Sequence, residues 1–268
     1  SRLALVSGVA PVLAPLVGSA LLLVMPWRGV FVVLALYGLV MLVSAIVFIP
    51  ETLPPARRQD RGSTTVAQRY RSVLGDRVFI GVLIIGGMTF SGLFSYLSAS
   101  SFLFQESYGF DAQQYGLLFA ANSLGVVVGV QVASRLAARF GPQWVMAWST
   151  AVLVAAATAI IVTDQLGLGL WGTVIPLFVF MTACGFTFPC VQVLALDRHG
   201  NAAGTAQSII GATNFGVAGV ISPLVGWIAR DAGITATTMA SVMVGCAVIG
   251  ILSLWLIVRP RTVGRLAP

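Results

Sequence analysis

Residues 50–77 read PETLPPARRQDRGSTTVAQRYRSVLGDR and hold six of the fifteen arginines of the chain. No other stretch is so polar for so long. On either side lie apolar runs too long for the core of a soluble domain, two before the stretch and six after it. That unequal division, two runs against six, organises the rest of the reading.

The 268 residues are 58% hydrophobic and 9% charged, with a mean hydropathy of +0.97. A soluble domain carries about 25% charged residues, so this composition belongs to an all-α integral membrane protein. The formal charge is +7 and every basic residue is arginine. Because the arginines lie between apolar runs, they imply contact with anionic lipid and control of topology, not nucleic-acid binding. Cys184, Cys190 and Cys246 all fall inside apolar runs without metal or redox spacing, which makes them buried small hydrophobes. The lone His199 lies in a polar loop beside Asp197 and Arg198 and cannot anchor a metal by itself. No cofactor is implied. Paired carboxylates, a nucleophile with its base and a phosphate loop are all absent from the sequence, so no enzyme is expected.

A spanning helix needs about 20 apolar residues. Between charged residues the sequence offers eight windows: 3–27, 29–50, 78–105, 112–134, 140–163, 165–196, 199–229 and 232–258. Each suffices for one crossing. With the amino terminus inside, thirteen arginines lie on the inner side and only Arg28 and Arg230 on the outer side. The bias places both termini in the cytoplasm. The first window is too long for a secretory signal and carries internal prolines.

Pro15-Leu-Val-Gly18 in the first window returns as Pro223-Leu-Val-Gly226 in the seventh. The offset of 208 residues also lays the second window over the eighth, which makes the repeat unit six helices. Transporters are commonly built from two such repeats. On this reading 1–49 is the last third of one half, 50–77 is a basic cytoplasmic loop, 78–258 is a complete second half and 259–268 is a tail. Four helices are then expected ahead of Ser1.

Twelve helices in two sixes, joined by a basic loop, resemble the major facilitator superfamily. The run Gly8-Val-Ala-Pro11-Val-Leu-Ala-Pro15-Leu-Val-Gly18-Ser19 is similar to that superfamily's antiporter motif. Its doubled Ala-Pro form resembles the Bcr/CflA subfamily of drug:proton antiporters. Trp27-Arg-Gly-Val-Phe31, Pro50-Glu-Thr-Leu53, Ser95-Tyr-Leu-Ser-Ala-Ser-Ser-Phe102, Tyr108-Gly-Phe110, Gln114-Tyr-Gly-Leu-Leu-Phe-Ala120 and Ala203-Gly-Thr-Ala206 follow in the same order. The chain departs at Ser19, where Gly is usual, at Ser101, where Pro is common, and at Asn214, where Gln is common. Phe140-Gly-Pro-Gln143 is a degraded form of the family's basic turn.

Gly8, Pro11, Pro15 and Gly18 recur at helical spacing along one face. The resemblance implies a conformational role, sealing a contact between halves, that Pro223 and Gly226 would echo. Gly125 and Gly129 form a GxxxG pair, a close-packing signal. For a substrate cavity the expected residues are Phe90 and Phe94, which share a helical face, Tyr96 with its polar tip, and Asn122 and Asn214. Polar residues in apolar runs face the bundle interior, so the two asparagines either line a cavity or bond neighbouring helices. The aromatics either face the cavity or anchor in lipid. No Asp, Glu, Lys or Arg lies deep in any window, so no residue here is assigned to proton coupling. The resemblance places that acid on the family's first helix, among the four expected upstream.

The resulting expectation is a multi-pass protein of the bacterial inner membrane that exports small hydrophobic or cationic drugs in exchange for protons, of which this chain is a fragment lacking the first four helices and not able to pump alone. Nutrient uptake on the same fold and a non-transporting membrane fragment are the alternatives.

Overall fold

The computed structural model describes residues 17–18, 21, 23–48, 66–197, 199, 202–230 and 233–261. All regular structure among them is helical. The chain divides into two compact units, Ser1–Val66 and Ala67–Pro268. In the first unit, α1 spans Trp27–Phe48. At its start the Trp27 and Phe31 rings meet edge to face at 5.9 Å, and the Arg28 guanidinium lies 4.7 Å from the Trp27 ring centroid.

α2 (Val66–Leu74) begins at the boundary residue, and the second unit holds the rest of it with α3 (Arg77–Phe102), α4 (Ala112–Phe140), α5 (Pro142–Gln165), α6 (Gly169–Asp197), α7 (Ala203–Ile221), α8 (Pro223–Ile228) and α9 (Ala236–Ser253). Wider π-type turns, Leu103–Ser107 and Leu254–Val258, extend α3 and α9. Seven helical spans among the described residues are long and apolar enough to cross a membrane, one for each expected window from 29–50 onward. Most of the window 3–27 lies outside the described residues.

The helix ends follow local chemistry. The Asp76 carboxylate accepts from Val78 N at 2.9 Å and starts α3. Asp111 and Gln114 form a reciprocal cap at the start of α4, as do Thr235 and Thr238 at α9. Between α4 and α5 the chain reverses at Gly141, whose φ of +88° favours a residue without Cβ, and Pro142 then opens α5.

Two features add to the sequence reading. The loop 50–77 contains a helix, α2, whose Val73 is fully buried among Phe79, Val82 and Leu194. That inward-facing side chain was hidden in a polar run. The seventh window is also interrupted at Ser222, because Pro223 has no N–H to continue the ladder of α7.

Packing follows an exchange of partners. In the triplet of spans α3–α5 and the triplet α6–α9, where α7 and α8 count as one span, the second helix of each lies on the first helix of the other: α4 packs on α6, and α7 on α3. The third helices, α5 and α9, pack together, with α5 also on α6 and α9 also on α3. This is the pattern of nested inverted repeats in transporter halves. Tyr96, Phe104, Leu177, Phe180 and Met239 fill one end of the core, and Phe79, Met146, Ile210 and Val258 the other.

Candidate functional site

Gly86, Phe90 and Phe94 succeed one another at four-residue spacing and therefore share one face of α3. The Phe90 and Phe94 rings lie 4.7 Å apart. Phe215 on α7 completes the group, edge-on to Phe90 at 5.0 Å and to Phe94 at 6.1 Å. Phe188 on α6 meets Phe90 at 6.3 Å. Four rings from three helices thus form one surface. Phe215 is 64% exposed, while Phe90, Phe94 and Phe188 are half-buried. Large ring faces are therefore presented rather than consumed in the core.

Asn214 lies at the same seam. A methyl group at Gly86 would come within 3.6 Å of its Oδ1 and 3.0 Å of Val191 Cγ1, so the amide rests on α3 one turn below Phe90. That Oδ1 is buried and has no hydrogen-bond partner among the described residues. A buried acceptor in this condition is free to receive a donor from a ligand or a water. The small residues of α3 make the approach possible, since a methyl at Gly87 would already touch Thr213 Cγ2 at 3.4 Å.

Tyr96 and Asn122 do not join this surface. Tyr96 is two residues beyond Phe94, about 200° round the helix, and points into the core between α3 and α4. There Asn122 Nδ2 donates to Tyr96 Oη at 3.1 Å. Phe119 stacks beside Tyr96 at 6.4 Å, and Ser100 Oγ and Tyr115 Oη pair at 2.8 Å. Tyr96 and Asn122 are essentially without exposure. Of the two roles left open for Asn122, the geometry is that of an interhelical hydrogen bond.

Gly125 and Gly129 face α6. A methyl at Gly125 would come within 2.7 Å of Thr182 Oγ1, and one at Gly129 would press on the Thr182 carbonyl and lie 3.1 Å from Gly185 Cα. Gly185 is the reciprocal residue, with its own missing Cβ directed at the Val126 carbonyl. Sequence reasoning missed Gly185 and Phe215. The run Ala183-Cys-Gly185 carried a small-residue signal, and Phe215 was flagged only by its neighbour Asn214.

Gly8, Pro11 and Pro15 lie outside the described residues. Pro223 opens α8, and a methyl at the echoed Gly226 would meet nothing within 4 Å among the described residues. The three cysteines are free and buried. His199 is more engaged than a solvated loop residue: its Nε2 lies 3.8 Å from Asp76 Oδ2, and its ring lies against Phe79 at 5.3 Å. These contacts tie the loop after α6 to the start of α3. At the other end, Asp164 Oδ2 accepts from Thr237 N at 3.0 Å and from Thr237 Oγ1 at 2.6 Å, joining α5 to the first turn of α9. Pro176 leaves the Gly172 carbonyl without its helical donor, and the Thr163 hydroxyl reaches it from α5.

A family model described as Major Facilitator Superfamily matches residues 1–223. The "Uncharacterized MFS-type transporter YdgK" of Bacillus subtilis is 30% identical over 265 residues, 97% of this chain and 64% of that protein. A "Bicyclomycin resistance protein homolog" of Haemophilus influenzae is 28% identical over 255 residues, 94% of this chain and 63% of the relative. The "Multidrug resistance protein MdtL" of Escherichia coli is 26% identical over 268 residues, 97% of this chain and 65% of the relative. The chain therefore spans just under two thirds of the length of these curated relatives.

Proposed function

Because the chain belongs to the major facilitator superfamily of multi-pass membrane transporters, we propose that it serves drug export, carrying small hydrophobic or cationic compounds out of a bacterial cell in exchange for protons. The observation that carries this reading is the surface of Phe90, Phe94, Phe188 and Phe215 with Asn214 at its edge. Ring faces attract organic cations electrostatically and bury apolar groups without demanding one shape. Asn214 Oδ1 adds a single acceptor for a ligand donor. Such a surface suits varied lipophilic cations better than a sugar or an amino acid, whose recognition needs several directed polar groups. The names of two relatives, a bicyclomycin resistance protein homolog and a multidrug resistance protein, point the same way.

In this reading the rings and Asn214 hold the substrate, and the α4–α6 glycine contact keeps the supporting helices rigid. Gly8, Pro11, Pro15 and Gly18, with Pro223 and Gly226, serve conformational change. Proton coupling is assigned to no residue of the chain.

The test is accumulation of ethidium in a bacterium stripped of its own exporters, with and without the protein expressed at the full length of the relatives it matches. Expression is expected to lower steady-state dye, and a protonophore to abolish the difference. Phe90→Ala and Phe215→Ala should each raise the half-saturating dye concentration about 2- to 10-fold, the value of an aromatic contact. Equal accumulation with and without the protein rejects export. Export that survives the protonophore rejects proton exchange, and unaltered saturation in both variants rejects the aromatic surface.

A further inference from the structure

On the flank of the second unit α6 packs closely against both α4 and α5, while α4 and α5 meet each other only briefly. Their divergence leaves a cavity of about 720 Å³, separate from the aromatic surface described above. Its walls are mostly apolar, with Phe140, Trp144 and Trp148 on one side and Phe178 and Val179 on the other. Arg139 stands at one end. Trp148 is 75% exposed, so the cavity is open sideways. In a spanning helix a sideways opening faces lipid.

Three observations select an occupant. From Trp144 to Val152 the groove follows α5 for about 12 Å, close to the ~15 Å of hydrocarbon in one leaflet. A partner helix would need a seam of about 30 Å, more than twice that length. Arg139 ends α4 on the arginine-rich side of the membrane, at headgroup depth for the cytoplasmic leaflet. Finally, its guanidinium lies 5.3 Å from the Phe140 ring centroid, and no carboxylate among the described residues pairs with it. A cation at the mouth of an apolar groove favours an amphiphile with a negative head and repels a lipophilic cation.

We propose that the groove between α4, α5 and α6 binds an anionic diacyl phospholipid of the cytoplasmic leaflet, with an acyl chain along Trp144 and Trp148 and the phosphate at Arg139. The bound lipid fills the gap between α4 and α5 and couples the flank of the bundle to the charge of the membrane.

The test uses the purified full chain in bilayers of phosphatidylcholine and phosphatidylglycerol, with bromine at mid-chain of one lipid at a time. Bromine quenches tryptophan fluorescence on contact, and the difference between the parent and Trp148→Phe isolates the signal of Trp148. Phosphatidylglycerol is expected to be preferred at Trp148 about fivefold, the effect of one arginine near the surface. Arg139→Gln should bring that preference to about unity while quenching by both lipids persists, and Arg139→Lys should keep most of it. Val179→Phe, which fills the groove from α6, should reduce quenching by both. Equal quenching in the parent, or a preference that survives Arg139→Gln, overturns the proposal. So does relief of quenching by added ethidium, which would make the groove a substrate site. Protection of Trp148 that rises with protein concentration would make it a contact between copies and overturns the proposal equally. A lowered melting midpoint for Arg139→Gln would mark a structural role instead and also count against it.

Discussion

Replacing Gly129 by alanine adds one methyl group, and the structure states where that methyl must go. It would press on the Thr182 carbonyl and lie 3.1 Å and 3.2 Å from the Cα and carbonyl carbon of Gly185. Carbon atoms rest about 3.5–4.0 Å apart, so α4 and α6 must separate by about half an ångström or more. The obstacles are backbone atoms of α6, which no rotamer change can move aside. Overpacking of this kind costs about 1–3 kcal/mol, and the rigidity of the obstacle places Gly129→Ala toward the upper end. Gly116→Ala on the same helix is the control: its methyl would meet nothing within 4 Å. There the gain in helix propensity should dominate, stabilising by about 0.5–1 kcal/mol. The three buried cysteines supply the assay, since thermal unfolding in detergent exposes them to a thiol-reactive fluorophore. A destabilisation of 2–3 kcal/mol lowers the midpoint by about 4–12 °C for a chain of this size. Gly129→Ala combined with Gly185→Ala should cost less than the sum, because one separation of the helices relieves both methyls. A Gly129→Ala midpoint at or above that of the parent, or equal to that of Gly116→Ala, would refute the contact.

Tyr96→Phe strands Asn122 Nδ2 in the core and should cost about 1 kcal/mol in the same melt, much of it recovered by adding Asn122→Leu; an unchanged midpoint would remove the bond from the stability account. Asp164→Ala takes the carboxylate from the first turn of α9, so amide exchange at Thr237 should quicken about 5- to 30-fold, corresponding to roughly 1–2 kcal/mol, while exchange at Leu177 stays slow. Single cysteines placed at 168 should react with an impermeant reagent added outside intact cells, whereas cysteines placed at 62 should not; the reverse result inverts the arginine-based orientation.

Seven of the spans and the superfamily were legible in residues because each is a local or nearly local property. A helix in lipid must satisfy its own backbone and be apolar for about 20 residues, and that requirement can be read one window at a time. Motifs such as Gln114 to Ala120 are likewise contiguous. Which faces meet is a different matter. A soluble helix shows its inner face as an apolar stripe, but these helices are apolar nearly all round, so inside and outside carry the same signal. Phe94 and Tyr96 therefore looked like one site, although they stand on opposite sides of α3. Phe215 gained its place only because α7 crosses to lie on α3 instead of beside α6. Gly125 and Gly129 announced a close contact, yet only the packing of α4 on α6 named Gly185 as its other half. In the loop 50–77, a short helix places Val73 in the core, a contact that the polar composition of the stretch does not show. Spacing along a chain sets each residue's angle on its own helix; which neighbour lies at that angle is settled by interhelical packing, a property of the assembled bundle.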